Sequence, residues 1–268
     1  LDVAGSPDRR SEPNEVSKYR VICARAEDAL PLVGEFDTCF ADPPDGIKLN
    51  YDVFKDRWAS DAEYAEWLVD TTARLLEVSK TVWVSYNSRH DIRYKHELIE
   101  NPDPALNNVE MKPFVQTFTF GQYRGGDCAN NHRPLLRLRH KRAPLYPSRI
   151  KVPSWRQLNG DKRAAKGGRV PGDVWDFPRV TGNSAQRRTW HPTQLHEGLV
   201  DRALRFTTPR GGKVLDPFGG TGTTLRVAKA LGFSCTLIEL SRNYCRRICK
   251  ENNVPMYEVV GGRLRRCE

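Results

Sequence analysis

Residues Val214 to Glu239 read VLDPFGGTGTTLRVAKALGFSCTLIE, and this stretch leaves few folds open. A short apolar run, Val214 and Leu215, ends in Asp216. A turn with Gly219, Gly220 and Gly222 follows, then an amphipathic run from Thr223 to Leu231. A second apolar run, Cys235 to Ile238, ends in Glu239. The pattern predicts a strand, a glycine turn, a helix and a strand tipped by an acid. Glycines at a helix start let backbone N–H groups approach a ligand closely. An acid about twenty residues further on can accept both hydroxyls of a ribose. Together these features point to a nucleoside cofactor. No Lys follows the glycines, which argues against a P-loop. Asp216 would repel a phosphate but suits the cationic end of a cofactor.

A second constellation lies near the start of the chain. Tyr19 to Cys23 and Phe36 to Ala41 are predicted strands, and the latter runs straight into Asp42-Pro43-Pro44-Asp45-Gly46. Two consecutive prolines stop the strand and fix the loop beyond it. The loop therefore presents the Asp42 carboxylate and two proline carbonyls at the carboxyl edge of a sheet, where open parallel sheets place their chemistry. The plainer alternative is a surface turn capped by Asp42. Further on, Thr189-Trp190-His191-Pro192-Thr193-Gln194 precedes the strand that leads into the glycine loop. By itself HPTQ predicts a helix start, with Pro192 in the first turn and Leu199, Val200, Ala203 and Leu204 on an apolar face.

These residues resemble one family. DPFGGTGTT is similar to the S-adenosylmethionine loop, DPFxGSGTT, of the amino-group DNA methyltransferases that modify adenine N6 or cytosine N4. Asp42-Pro43-Pro44 resembles the family's catalytic DPPY, and His191 to Gln194 the start of its HPTQKP, with Leu195 and His196 in place of Lys and Pro. The order of the three motifs, catalytic half first, is that of the permuted β class, and the resemblance runs from about Tyr19 to Met256. It implies a doubly wound, mostly parallel α/β sheet of the methyltransferase (Rossmann-like) type with a small target-recognition insertion. It also implies methyl transfer from S-adenosylmethionine to an exocyclic amine of a flipped-out base in double-stranded DNA, in the setting of restriction–modification. Adenine N6 is favoured because a leading Asp is commoner among the adenine enzymes.

The resemblance also assigns residues. Asp42, Pro43, Pro44 and Asp45 form the catalytic tetrapeptide. The cofactor set is Asp28, Gln194, Asp216, Phe218, Gly219, Gly222, Thr223 and Glu239, although Asp28 is equally well an N-cap. The family usually has an aromatic at the fourth catalytic position, and Asp45 cannot stack on a base. Tyr51 or Phe54 is expected to supply that ring.

The chain of 268 residues has 43 Lys and Arg against 33 Asp and Glu, a net charge of +10, which favours a polyanionic partner. From Arg133 to Arg169 there are twelve Lys or Arg and a single acid, Asp161. Residues 133–190 are therefore expected to be the DNA-recognition insertion of a domain spanning 19–268. Tyr51, Tyr123, Arg124, Arg142, Lys162 and Arg163 are its candidate base or backbone contacts. A helix is expected over Asp61 to Lys80, strands over Thr81 to Tyr86 and Val115 to Phe120, then a closing helix (Asn243 to Asn252) and strand (Met256 to Val260). Residues 1–18 are polar, contain two prolines and are expected to be a tail. Seven cysteines lack metal-ligand or disulfide spacing, which fits an intracellular protein and no metal site. No apolar run is long enough to cross a membrane. A homodimer is compatible with all of this. The rival readings are a cytosine-N4 enzyme, an RNA methyltransferase, and a catalytically silent DNA-binding module disabled by Asp45.

Overall fold

A computed structural model describes residues 17–101, 103–122 and 125–267. The expected tail lies almost wholly outside the described residues, as do Tyr123 and Arg124. In chain order the elements are β1 (Tyr19–Cys23), α1 (Ala26–Ala29), β2 (Phe36–Ala41), α2 (Asp61–Val78), β3 (Ser79–Ser85), α3 (Asp91–Glu100), β4 (Val109–Gln122) and β5 (Asn130–His140). After them come α4 (Trp155–Leu158), β6 (Val174–Asp176), α5 (Glu197–Thr207), β7 (Lys213–Asp216), α6 (Thr223–Leu231), β8 (Ser234–Glu239), α7 (Arg242–Asn252), β9 (Met256–Val260) and β10 (Arg263–Arg266).

The described strands form one sheet in the order β10-β9-β1-β8-β7-β2-β3-β5-β4-β6. From β9 to β3 the neighbours are parallel, while β10 and β5 run against their neighbours. Alternation along each central strand feeds two apolar layers. Phe40, Trp83, Val214 and Leu237 pack on the face shared with α5 and α6, and Cys39, Val82, Leu215 and Ile238 on the face shared with α2. The mostly parallel, doubly wound sheet expected from the sequence is therefore present. Between β7 and β2 the winding reverses, one half of the chain proceeding to β8 and the other to β3. Sheets of this kind bind ligands beyond the strand ends at that point.

Four segments differ from the sequence reading. Residues 133–140, counted as the start of the basic insertion, belong to β5 inside the main sheet, with Leu135, Leu136 and Leu138 buried. Val174–Asp176 likewise joins the sheet beside β4 and buries Trp175 against Trp83 and Phe114, at centroid distances of 5.6 and 5.0 Å. Of the expected insertion, residues 141–173 and 177–190 lie outside the strands of the main sheet. HPTQ is irregular rather than helical, because His196 caps α5 by accepting from Gly198 N and the helix begins at Glu197. Helix α2 stops at Val78, since Ser79 already pairs with Phe36 as the first residue of β3.

Candidate active site

The ends of β1, β8, β7 and β2 open into a cavity of about 380 Å³. Asp216 and Glu239 stand at the tips of β7 and β8, with the glycine loop between them. Gly219 is forced by packing, since a Cβ there would lie 2.1 Å from Leu237 Cδ2. Gly222 is forced by its backbone, with φ of 74° at the N-terminal boundary of α6. The loop is tied down by Glu239, whose Oε2 accepts from Gly220 N at 2.8 Å and Oε1 from Ser241 N at 2.7 Å. Each carboxylate oxygen keeps a second lone pair for a ligand hydroxyl. Asp216 accepts from Phe218 N at 3.0 Å. Burial pushes the Glu239 and Asp216 carboxyls up to about 7 each, against the pull of these hydrogen bonds.

Other walls come from distant parts of the chain. Phe218 meets Trp67 edge-on at 5.9 Å, and Thr223 lies buried on the α6 side. The roof is the segment after the catalytic loop, folded back on itself by Tyr51 N to Phe54 O and Phe54 N to Tyr51 O bonds. Asp52 staples this roof to α7, accepting from Ser241 Oγ at 2.5 Å and Asn243 Nδ2 at 2.9 Å. Gln194 lines the cavity, but its amide braces its own loop, accepting from Arg188 N and donating to Gln186 O. His191 is buried between Tyr51 and Tyr244, and burial holds its pKa down to about 4. It is a neutral wall. Among the described residues no group of three or more His, Cys, Asp or Glu could hold a metal.

Asp28 does not join this set. It is exposed on the first turn of α1, and the neighbouring Glu27 lines the cavity, accepting from Trp67 Nε1 at 3.4 Å. Successive helical side chains point about 100° apart, so only one of two adjacent acids can face inward. Asp28 is not the cap either, since that position is Arg25.

A second, wider cleft of about 1240 Å³ adjoins the first. Asp42, Tyr51, Thr193 and Gln194 line both. Pro43 and Asp45 face the wider cleft, and Pro44 faces the cofactor-sized one. The Pro44 carbonyl accepts from Tyr64 Oη at 2.7 Å. The loop beyond is locked by the fully buried Asp56, which accepts from Gly46 N, Ile47 N and Trp58 Nε1. Burial raises the Asp42 carboxyl above the usual carboxylate range while Arg133 opposes the shift. Tyr51 lies half-buried over the junction, whereas Phe54 touches only the smaller cavity.

Neither Lys162 nor Arg163 lines either cavity. Both are exposed, with Arg163 paired to Asp161. Arg142 is misplaced for a contact at the catalytic edge. It follows the end of β5 that pairs with the start of β3 (Arg139 with Thr81), so it sits at the opposite edge of the sheet. Sequence reasoning missed Arg133, Ser85, Tyr64 and Asp56 around the catalytic loop.

The family model for the N6/N4 DNA methylases matches residues 36–251. The chain belongs to that family. Among curated relatives, this DNA methyltransferase is 27% identical over 258 residues to the type II methyltransferase M.HpaI of Haemophilus parainfluenzae, covering 92% of the chain and 79% of the relative. It is 29% identical over 221 residues to the DNA adenine methyltransferase YhdJ of Escherichia coli K12, covering 78% and 73%. Solved structures share its fold. The M1.HpyAVI–SAM complex superposes with a TM-score of 0.60 at 18% identity, covering 88% of this chain and all of that one. The cytosine-N4-specific PvuII DNA methyltransferase superposes with a TM-score of 0.64 at 12% identity, covering 88% and 90%. S-adenosylmethionine is the methyl donor of this family, and DNA methylation of the restriction–modification type is its chemistry.

Proposed function

We propose that this DNA methyltransferase modifies the N6 amino group of adenine in a short double-stranded target, with the base extruded into the wider cleft. The observation that carries this reading is the position of Asp42, at the junction of the cofactor-sized cavity and that cleft. An exocyclic amine is a poor nucleophile, because its lone pair is delocalised into the ring. Two acceptors that draw its hydrogens out of the ring plane localise that lone pair on nitrogen. Asp42 is one acceptor. The Pro43 carbonyl is the other, since Pro44 is already taken by Tyr64 and Pro43 has no protein donor among the described residues. Bound S-adenosylmethionine supplies an electrophilic methyl group. Aiming the lone pair at it is catalysis by positioning and electrostatics.

Glu239 offers acceptors for the cofactor ribose, Asp216 a negative wall for its cationic end, and Phe218, Gly219 and Thr223 its close-fitting floor, whereas Gly222, expected in this set, packs against Ile248 and turns the chain into α6 without lining the cavity. Tyr51 offers a ring to the extruded base in place of the family's aromatic. An amine inside a duplex is out of reach, so extrusion is required. Exposed cations such as Lys162 and Arg163 would meet phosphates and hold the distorted duplex. The leading Asp of the catalytic loop and the likeness to YhdJ favour adenine over cytosine.

The test is methyl transfer from labelled S-adenosylmethionine to unmethylated genomic DNA, followed by nucleoside mass spectrometry. N6-methyladenine is the expected product. N4-methylcytosine would overturn the base assignment, and a preference for RNA would overturn the substrate class. Absence of product with DNA and cofactor bound would mean a silent binding module.

A further inference from the structure

Asp45 replaces the aromatic expected at the end of the catalytic tetrapeptide, and the side chain that answers it is Arg133 on β5. The guanidinium is held on three sides. Nε donates to Ser85 Oγ, Nη1 to Asp45 Oδ1 and Nη2 to Asp42 Oδ1, each at 2.7 Å. All three charged side chains are largely buried, with exposures of 19% for Arg133, 24% for Asp42 and 11% for Asp45. Two carboxylates this close repel, and without a cation between them one would retain a proton. Among the described residues, Arg133 is the cation that acts on Asp42, and the other groups around it supply no second one. Asp216 faces it from β7 and Tyr51 from the roof, while Tyr64, His90 and Asp56 back the loop that carries it. Burial pushes the Asp42 carboxyl up, Arg133 pulls it down, and Asp45 pushes it up again. Arg133 bonds only Oδ1 of Asp42, the Ser85 hydroxyl also acts on this carboxylate, and with two lone pairs on each oxygen Oδ2 keeps acceptor capacity for a further donor.

We propose that Arg133 is a positioning residue for methyl transfer, bridging Asp42 and Asp45 so that Asp42 stays ionised and oriented with Oδ2 available to the substrate amine. The inference rests on Asp42 being the amine's acceptor. It explains the departure at Asp45, whose carboxylate anchors the far prong of the fork. Either charge without the other would be buried and unpaired. A planar fork can span two carboxylates in fixed geometry, whereas an ammonium is a single point of charge.

The experiment measures kcat against pH on duplex DNA at saturating cofactor for the full chain and four variants. Arg133→Gln is expected to lower kcat about a hundredfold. Its acid limb should move to higher pH. Its affinity for S-adenosylmethionine should be unchanged, because Arg133 does not line the cofactor cavity. Asp45→Asn removes a negative neighbour, so its acid limb should move to lower pH. Opposite displacements are not produced by a merely structural role. Arg133→Lys retains the buried charge, and with it the fold if the glutamine variant fails to fold. It should lose about tenfold in kcat, an intermediate loss, because it cannot bridge. Wild-type or raised kcat in either Arg133 variant, or an unmoved acid limb in Arg133→Gln, overturns the proposal. Asp42→Ala, which removes both side-chain acceptor oxygens, separates the two ideas. Retained turnover there overturns the acceptor reading itself, while lost turnover there with active Arg133 variants overturns only the positioning role.

Discussion

Tyr64 donates its hydroxyl to the Pro44 carbonyl at 2.7 Å, joining the middle of the catalytic loop to the first turns of α2. The ring is 1% exposed and packs 4.2 Å from His90, whose Nε2 reaches the Asp45 carbonyl at 3.1 Å. Tyr64→Phe keeps the packing and removes the donor, leaving a carbonyl in the cavity wall unsatisfied. The expected cost is about 1 kcal/mol of stability by denaturant titration. The more telling result would be a fall in kcat with unchanged cofactor affinity, because the loop that carries the acceptors would lose its tether. Unchanged kcat would show that the prolines, Asp56 and Arg133 hold the loop without this bond.

Asp216 and Glu239 give the protein a pH dependence of a definite sign. Both carboxyls are pushed up to about 7 by burial, above their unfolded values. Between about pH 4 and 7 the folded chain therefore binds more protons than the unfolded one. Their contribution to stability is fully present at acid pH and falls as pH rises through that window. A cationic cofactor beside Asp216, and hydroxyls donating to Glu239, favour the ionised forms. Binding of S-adenosylmethionine should then release protons, and its affinity should rise from pH 6 to 8 and level off. Calorimetry in buffers of different ionisation enthalpy measures this directly. A pH-independent affinity with no proton release would remove both acids from the cofactor site.

The glycine loop and both flanking strands were legible because their constraints are local. Gly222 must adopt a left-handed backbone, and Val214, Leu215 and the Cys235–Ile238 run must fill the two layers of the core. The Asp42 loop was legible for the same reason, since two prolines dictate its shape. What failed was anything decided across the sheet. Arg133 meets Asp45 and Asp42 from 88 and 91 residues away, and only the antiparallel register of β5 on β3 brings them together. Asp28 and Glu27 were indistinguishable by composition, and the rotation of a four-residue helix chose between them.

Gly219 offers a test of the loop by steric means. A methyl group there would overlap Leu237 Cδ2 at 2.1 Å and Cγ at 2.7 Å. Gly219→Ala should cost about 1–3 kcal/mol, as overpacking does. It should also weaken cofactor binding, because relief requires the loop to move into the cavity. Pairing it with Leu237→Ala removes the overlap, so the double variant should bind cofactor better than Gly219→Ala alone. Equal loss in both would mean that the backbone at 219, rather than its closeness to Leu237, sets the requirement.

Arg137 shows why counting cations overstated the DNA-facing surface. It is 2% exposed, with its guanidinium 5.4 Å from the Phe206 centroid, 5.6 Å from Phe114 and 6.0 Å from Trp83. Glu110 accepts from it at 2.5 Å and also pairs with Arg139. A charge so enclosed is costly to desolvate, and because its partner Glu110 is half exposed and keeps Arg139, an apolar side chain of similar length at 137 leaves no buried charge unpaired. Arg137→Met should therefore leave stability within about 1 kcal/mol of wild type, or raise it. Glu110→Ala should be the more damaging change, because it strands a buried guanidinium. Its half-exposed carboxylate limits the loss to about 1–3 kcal/mol. Neither substitution should alter the salt dependence of DNA binding, since a cation inside the sheet releases no counterions from phosphates. A shallower salt slope for Arg137→Met would return this residue to the DNA interface and reopen the boundary of the recognition segment at β5.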